Sequence, residues 1–223
     1  MDVETYFCRI DPKDYGWGAT LSSKLTLSDQ DRAAKFRFDR DRASFVVAHV
    51  LFEKIVRPCL PARGWFLETN IFGKPMISPN TLGIYFNLSH TTGMVALGVS
   101  QGTDIGVDVE QVSKGKTYED IHKTVLTSHE RSAVIAHADP KDRFIQSWAA
   151  KEAILKAMGT GLSVPAKDIE VLSGRVTKIP PAFGQPDEWC VQTQTHNGWW
   201  SAVAARTPKL TEKQTFLEIS DLF

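Results

Sequence analysis

The stretch Ile105-Gly-Val-Asp-Val-Glu110 sets two acids, two residues apart, into a run of β-branched side chains. As a strand, it would turn Ile105, Val107 and Val109 to one face and Gly106, Asp108 and Glu110 to the other. The two carboxylates then stand about 7 Å apart, from two residues of rise at ~3.3 Å each. That is close enough to repel, and close enough to share a cation. A third acid comes from "RFIQSWAAKEAILKAMG". At helical spacing, Ile145, Trp148, Ala149, Glu152, Leu155 and Lys156 adjoin on one face. Glu152 and Lys156 thus sit four residues apart within an apolar stripe, flanked by Lys151. Three convergent carboxylates, with room for water and substrate phosphates, describe a magnesium site with bonds of ~2.1 Å. Two plainer readings stay open: a Glu–Lys pair that satisfies itself, and acids on an exposed strand at a sheet edge.

Other polar residues stand at places where chemistry is possible. Ser89-His90 puts an imidazole beside a glycine turn. It could serve as a base or as a hydrogen-bonded structural residue, and no G-x-S-x-G nucleophile turn accompanies it. Lys74 lies in "FGKP", where Pro75 disfavours a helix and puts the lysine on a loop or strand edge. By itself it reads as a solvated turn lysine. "RAAKFRFDRDR", from Arg32 to Arg42, mixes acids with bases. It suits a solvated helix face, or a local phosphate-binding patch built on Arg.

The elements that must position these residues follow from periodicity and punctuation. A first strand is expected near Thr5–Ile10, and a helix from Leu27 with Ser28 as its N-cap. A second helix covers "RASFVVAHVLFEKIV", with Phe45, Val46, Val50, Leu51 and Ile55 at helical spacing, and ends before Pro58. "IYFNLSHTTGMVALGVS" reads as two strands around a polar corner, and "IGVDVE" follows a turn at Gln101-Gly102. "SHERSAVIAH" suggests a short helix. The long helix after Pro140 stops at Gly159 and Gly161. The last third reads as antiparallel strands between Gly, Pro and Asn turns. The result is an α+β fold of two similar packed subdomains, 1–104 and 105–223, with no sequence-level repeat.

The whole chain narrows the function classes. It has 223 residues, 42% hydrophobic and 23% charged, the profile of an ordinary globular protein. Lys plus Arg and Asp plus Glu number 26 each, so no global field draws nucleic acid or anionic membrane. Three cysteines, Cys8, Cys59 and Cys190, form no C-x-x-C pair and argue against a disulfide framework. The first residues carry early acids and no apolar stretch of the signal-peptide kind. "SFVVAHVLF" is too short to span a bilayer. Asn87-Leu88-Ser89 matches a glycosylation sequon, a triplet common by chance. A reducing cytosol is the expected setting.

Taken in order, "FGKP", "FNLSH", "IGVDVE" and "WAAKEAILKAMGTGL" resemble the successive signatures of the Sfp-type 4'-phosphopantetheinyl transferases. The resemblance runs from about Leu27 to Pro165. The pairing of W-x-x-K-E-x-x-x-K with an upstream G-[IV]-D-[IV]-E makes it specific. It implies a pseudo-twofold α+β fold, each half a small antiparallel sheet packed with helices, with coenzyme A in the cleft between them. The first subdomain would take the adenosine and phosphate side, the second the metal ligands and the catalytic helix. Asp108, Glu110 and Glu152 would hold Mg²⁺ against the coenzyme A pyrophosphate, and Lys156 would contact that pyrophosphate. Lys74, Ser89 and His90 would contact the adenosine and 3'-phosphate end. Glu152 would act as general base on the serine of an acyl or peptidyl carrier protein, and 3',5'-ADP would leave.

The family often has a D-R-x-R pattern where this chain has "DRAS". That leaves Arg42 as the phosphate-binding candidate, with Arg32 and Lys35 as substitutes. The carrier is expected to dock after Glu110, on basic Lys114 and Lys116 and apolar Val125 and Leu126. Because one chain would hold both halves of the cleft, a monomer is implied. Two other readings compete: another Mg²⁺-dependent phosphoryl-handling enzyme such as a nuclease, and a non-catalytic carrier-binding module. Neutral net charge and lysine placement speak against the first. Retention of all three acids speaks against the second.

Overall fold

The computed structural model describes residues 1–112 and 122–223. The first part of the chain forms β1 (Asp2–Arg9), α1 (Trp17–Ser22), α2 (Leu27–Ala34), α3 (Asp39–Leu51), β2 (Phe66–Thr69), β3 (Pro75–Ser78), β4 (Ile84–Thr91) and β5 (Met94–Gln101). The second forms β6 (Ile105–Gln111), α4 (Ser128–Ile135), α5 (Pro140–Ala157), β7 (Glu170–Leu172), β8 (Arg175–Lys178), β9 (Cys190–His196), β10 (Trp199–Ala205) and β11 (Thr211–Leu217). Short 3₁₀ turns join several of these. Among the described residues, no helix is long and apolar enough to cross a membrane.

The same order of elements occurs twice. Strand, helix, two-stranded hairpin, strand, strand runs as β1, α3, β2–β3, β4, β5, and again as β6, α5, β7–β8, β9, β10. The sheets repeat as well: β1-β5-β4 is antiparallel, and so is β6-β10-β9. What breaks the repeat is β11. It adds to the outer edge of β1 in parallel, from Asp2↔Thr211 to Cys8↔Leu217. Ile219 and Leu222 then pack into the first core. Residues after about 210 therefore lie with the first half of the chain, although their sequence position belongs to the 105–223 span.

Each helix is placed by its apolar face. In α3, Val46, Val50 and Leu51 pack with Phe86, Val95 and Leu97. In α5, Phe144, Ala149, Ala153 and Ile154 pack with Val191, Ala202 and Ala204. Thr26 caps α2, its Oγ1 accepting from the Asp29 N–H at 3.2 Å. The expected cap, Ser28, falls inside the first turn, because the helix begins at Leu27. Asp139 caps α5 in the same way, with Pro140 as its first residue.

The two halves meet along β6. Ile105 and Val107 pack with Val3 and Val203, and Val109 packs with Phe7, Met94 and Ala96. One edge of β6 pairs with β10. On the other edge, β4 supplies side chains where a partner strand would supply backbone. Asn87 Oδ1 accepts the Val107 N–H at 2.9 Å, and Ser89 Oγ accepts the Val109 N–H at 3.3 Å. Alternation along β4 puts both on one face, at the spacing of the two N–H groups they satisfy. That is the structural use of "FNLSH".

Candidate functional site

The opposite face of β6 carries Gly106, Asp108 and Glu110, and α5 lies directly on it. A Cβ at Gly106 would stand 1.9 Å from the Ala153 carbonyl oxygen and 2.4 Å from the Ala157 nitrogen. Only glycine permits this approach, which brings the second half of α5 within side-chain reach of the two acids.

Asp108 is the centre of the arrangement. It is 3% exposed. Its Oδ1 accepts from Lys156 Nζ at 2.6 Å and from Ser89 Oγ at 2.9 Å. Lys156 Nζ also donates to Ser89 Oγ at 2.9 Å, so all three groups form a closed triangle. Asp108 Oδ2 is buried with no hydrogen-bond partner. Such an atom is costly unless a hydrogen-bond donor or a cation meets it. Glu110 is half-buried, and its Oε1 accepts from the Trp148 indole N–H at 3.0 Å. Burial pushes the Glu110 carboxyl up to about 7, Asp108 and Glu152 add to the rise, and the Trp148 bond and Lys156 oppose it. Burial and Asp108 also raise Glu152, against the pull of Lys156. Asp108 thus disfavours charge on both glutamates, as an acid sharing a site does.

These observations fit a hard divalent cation, whose ligands are oxygens. The donors are all carboxylate, one oxygen is buried and unpartnered, and two acids hold their protons more tightly than usual. The acids are not drawn tightly together. Among the described residues, no three His, Cys, Asp or Glu side chains stand close enough to enclose a metal ion. Lys156 supplies the positive charge at Asp108 instead.

The other expected residues fall in several places. Ser89 is part of the triangle. His90 is exposed at the end of β4 and lines a polar cavity of about 230 Å³ with Arg40, Asp41, Ser44 and Thr92. Partial desolvation of its ring in that cavity, and then Lys156, hold His90 below its usual value, against Asp41 and Asp108. Arg42 does not line that cavity. Its guanidinium donates to Asp39 at 2.8 Å and to the Phe36 carbonyl at 3.2 Å. Arg40 and Ser44, which the sequence reading did not assign, stand there instead, one helical turn apart on α3. Arg32 lines a larger cavity of about 760 Å³ with Phe52, Trp65, Phe66, Phe86 and Leu88, next to Gly73 and Pro75.

Lys74 is not a solvated turn lysine. It is 9% exposed, and its Nζ donates to Asp104 Oδ1 at 2.5 Å and to the Ile105 carbonyl at 2.9 Å. Burial lowers its pKa, with Asp104 opposing. The lysine ties the β2–β3 hairpin to the start of β6. Val125 and Leu126 are 7% and 2% exposed and belong to the second core. They cannot present an apolar docking surface, because their burial is what anchors the segment before α4. Lys114 and Lys116 lie outside the described residues.

Lys151, which flanks Glu152 in the sequence, turns away from it into the core. It is wholly buried and pairs with Glu130 at 2.5 Å. Its remaining bonds go to the Val125 carbonyl at 2.8 Å and the Ala166 carbonyl at 3.0 Å. It anchors α5 from behind while Glu152 faces β6.

Comparison with known proteins bears on what this arrangement does. The family model of the 4'-phosphopantetheinyl transferase superfamily matches residues 104–206, the span that contains β6 and α5. A 4'-phosphopantetheinyl transferase of Bacillus subtilis, ffp, is 31% identical over 214 residues, covering 91% of each chain. The chain belongs to the 4'-phosphopantetheinyl transferase superfamily. The L-aminoadipate-semialdehyde dehydrogenase-phosphopantetheinyl transferase of Rattus norvegicus is 28% identical over 173 residues, 71% of this chain and 56% of that protein. The chain thus spans little more than half the length of this mammalian relative. The superfamily's cyanobacterial HetI protein, from Nostoc, is 27% identical over 189 residues, 77% of this chain and 78% of its own.

Proposed function

We propose that the chain moves the 4'-phosphopantetheine arm of coenzyme A onto a serine of an apo acyl or peptidyl carrier protein and releases 3',5'-ADP. The observation that carries this reading is the buried Asp108, held by Lys156 and Ser89 with its second oxygen unpartnered, beside Glu110 and Glu152. The serine oxygen attacks the β-phosphorus, and the new P–O bond forms as the bond to the bridging oxygen breaks. The serine proton passes to Glu152, which burial and Asp108 make a stronger base than an ordinary carboxylate. The electron pair leaves on the α-phosphate of 3',5'-ADP.

Lys156, now on Asp108 and Ser89, would meet the pyrophosphate and offset charge that develops on its oxygens. Asp108, Glu110 and Glu152 would hold Mg²⁺, which supplies Lewis-acid neutralisation of that charge when bound. His90, Arg40 and Ser44 offer the leaving 3'-phosphate a polar cavity with one guanidinium. The aromatic cavity beside Gly73 and Pro75 suits the adenosine, with Arg32 at its wall and Lys74 fixing the hairpin that frames it. The repeated element order supports a pseudo-twofold arrangement, with the substrate in the cleft between 1–104 and 105–223 and a monomer as the working unit. Three free cysteines suit a reducing cytosol.

The test incubates the full chain with coenzyme A, Mg²⁺ and a panel of apo carrier proteins, followed by intact-mass measurement. The expected result is a phosphopantetheine adduct on at least one carrier. No adduct across fatty-acid, polyketide and peptide-synthesis carriers would overturn the reading.

A further inference from the structure

Trp148 touches the site without a part in the proton or phosphate steps above. Its indole N–H donates to Glu110 Oε1 at 3.0 Å. It lies four residues before Glu152 and eight before Lys156, so all three project from one face of α5. The two ends of that row grip the two strand acids, Trp148 on Glu110 and Lys156 on Asp108. Glu110 needs a restraint of this kind. Asp108 and Glu152 both repel its charged form, and a glutamate left unrestrained has enough rotamer freedom to turn away from them. An indole is suited to the task, since it is a rigid donor with no acceptor to compete for other partners.

Resting on the metal reading above, we propose that Trp148 is a positioning residue, which fixes the Glu110 carboxylate as a cation ligand. Hydrogen-bond partners that orient a ligating carboxylate commonly govern metal affinity by about 10–100-fold. Trp148→Phe keeps an aromatic ring in place and removes the N–H. Trp189→Phe is the matched control, since the Trp189 indole donates to the Phe183 carbonyl at 3.0 Å in the second core, with no contact to the acids.

The experiment titrates Mn²⁺ into the full chain, with and without coenzyme A, and reads free Mn²⁺ by electron paramagnetic resonance. Trp148→Phe should weaken Mn²⁺ binding by about 10–100-fold, while Trp189→Phe leaves it unchanged. Coenzyme A affinity measured without metal should not move in either. In a Glu110→Gln background, adding Trp148→Phe should cost little more, because the two changes act through one carboxylate. Unchanged Mn²⁺ affinity in Trp148→Phe, or full additivity with Glu110→Gln, overturns the inference alone. A wild-type chain that binds no Mn²⁺ overturns the metal reading and this inference together. If Trp148→Phe does not fold, fluorine spectra of the fluorotryptophan-labelled wild type take its place. One resonance should shift with Mg²⁺ and fail to shift in Glu110→Gln, and no shift in the wild type overturns the proposal.

Discussion

The two repeats share an element order and differ in how their first strand is closed. In the first, the outer edge of β1 carries a full parallel ladder to β11, and α3 meets the sheet with Val and Leu side chains. In the second, the outer edge of β6 is met by side chains: Asn87 and Ser89 accept its N–H groups, and Lys74 donates to the Ile105 carbonyl. Its helix meets the strand at a glycine, with Lys156 and Trp148 on the acids. A backbone ladder would occupy the edge where Ser89 now reaches Asp108. The first half spends its framework on packing; the second leaves one strand incompletely paired and places its titratable groups there. The two halves thus differ, through a few residue choices, in whether apolar or titratable groups meet the first strand.

This contrast makes predictions in descending size. Glu152→Gln keeps the shape and removes the proposed base, so the rate of carrier modification should fall about 10²–10⁴-fold with melting temperature held. Ala substitution at Val50 in α3 should instead lower the melting temperature and leave the rate per folded molecule intact. A comparable rate loss in folded Val50→Ala would break the comparison. Lys151→Met removes one partner of a buried ion pair and leaves Glu130 uncompensated, at a cost of about 3–5 kcal/mol of stability by urea denaturation. Gly106→Ala should cost about 1–3 kcal/mol as α5 is forced off β6, and the rate should fall further than stability explains. A smaller effect belongs to the first half. Burial raises the Cys8 thiol from its ordinary 9.0 to about 12. A raised thiol contributes stability that is whole below pH 9.0 and fades as pH climbs towards about 12. Cys8→Ala should flatten the fall in melting temperature just above pH 9.0, and an unaltered slope there would show that Cys8 does not carry it.

What was readable in the sequence was local. Alternation in "IGVDVE" separates the core valines from the acids, and helical spacing in α5 puts Trp148, Glu152 and Lys156 on one face. Both patterns depend on neighbours a few residues away. Lys151 shows the limit: spacing places it beside Glu152, yet its burial depends on Glu130 and on the carbonyls of Val125 and Ala166, which no short window contains. Lys74 is similar, since Asp104 becomes its partner only when the hairpin folds onto β6. The return of β11 to β1 joins residues more than two hundred positions apart, beyond the reach of any periodicity. Arg42 and Arg40 are both on the first turns of α3, and only the orientation of that helix decides which of them meets the cavity of His90.

The seam between β4 and β6 bears on where such a chain can be made. Asn87-Leu88-Ser89 spells an acceptor for N-linked sugar, yet Asn87 is 6% exposed and its amide oxygen is committed to Val107. In a secretory lumen, sugar is added while the chain is still open, and a glycan on Asn87 would wedge the two halves apart before they closed. The same triplet that stitches the protein together would then become a folding block.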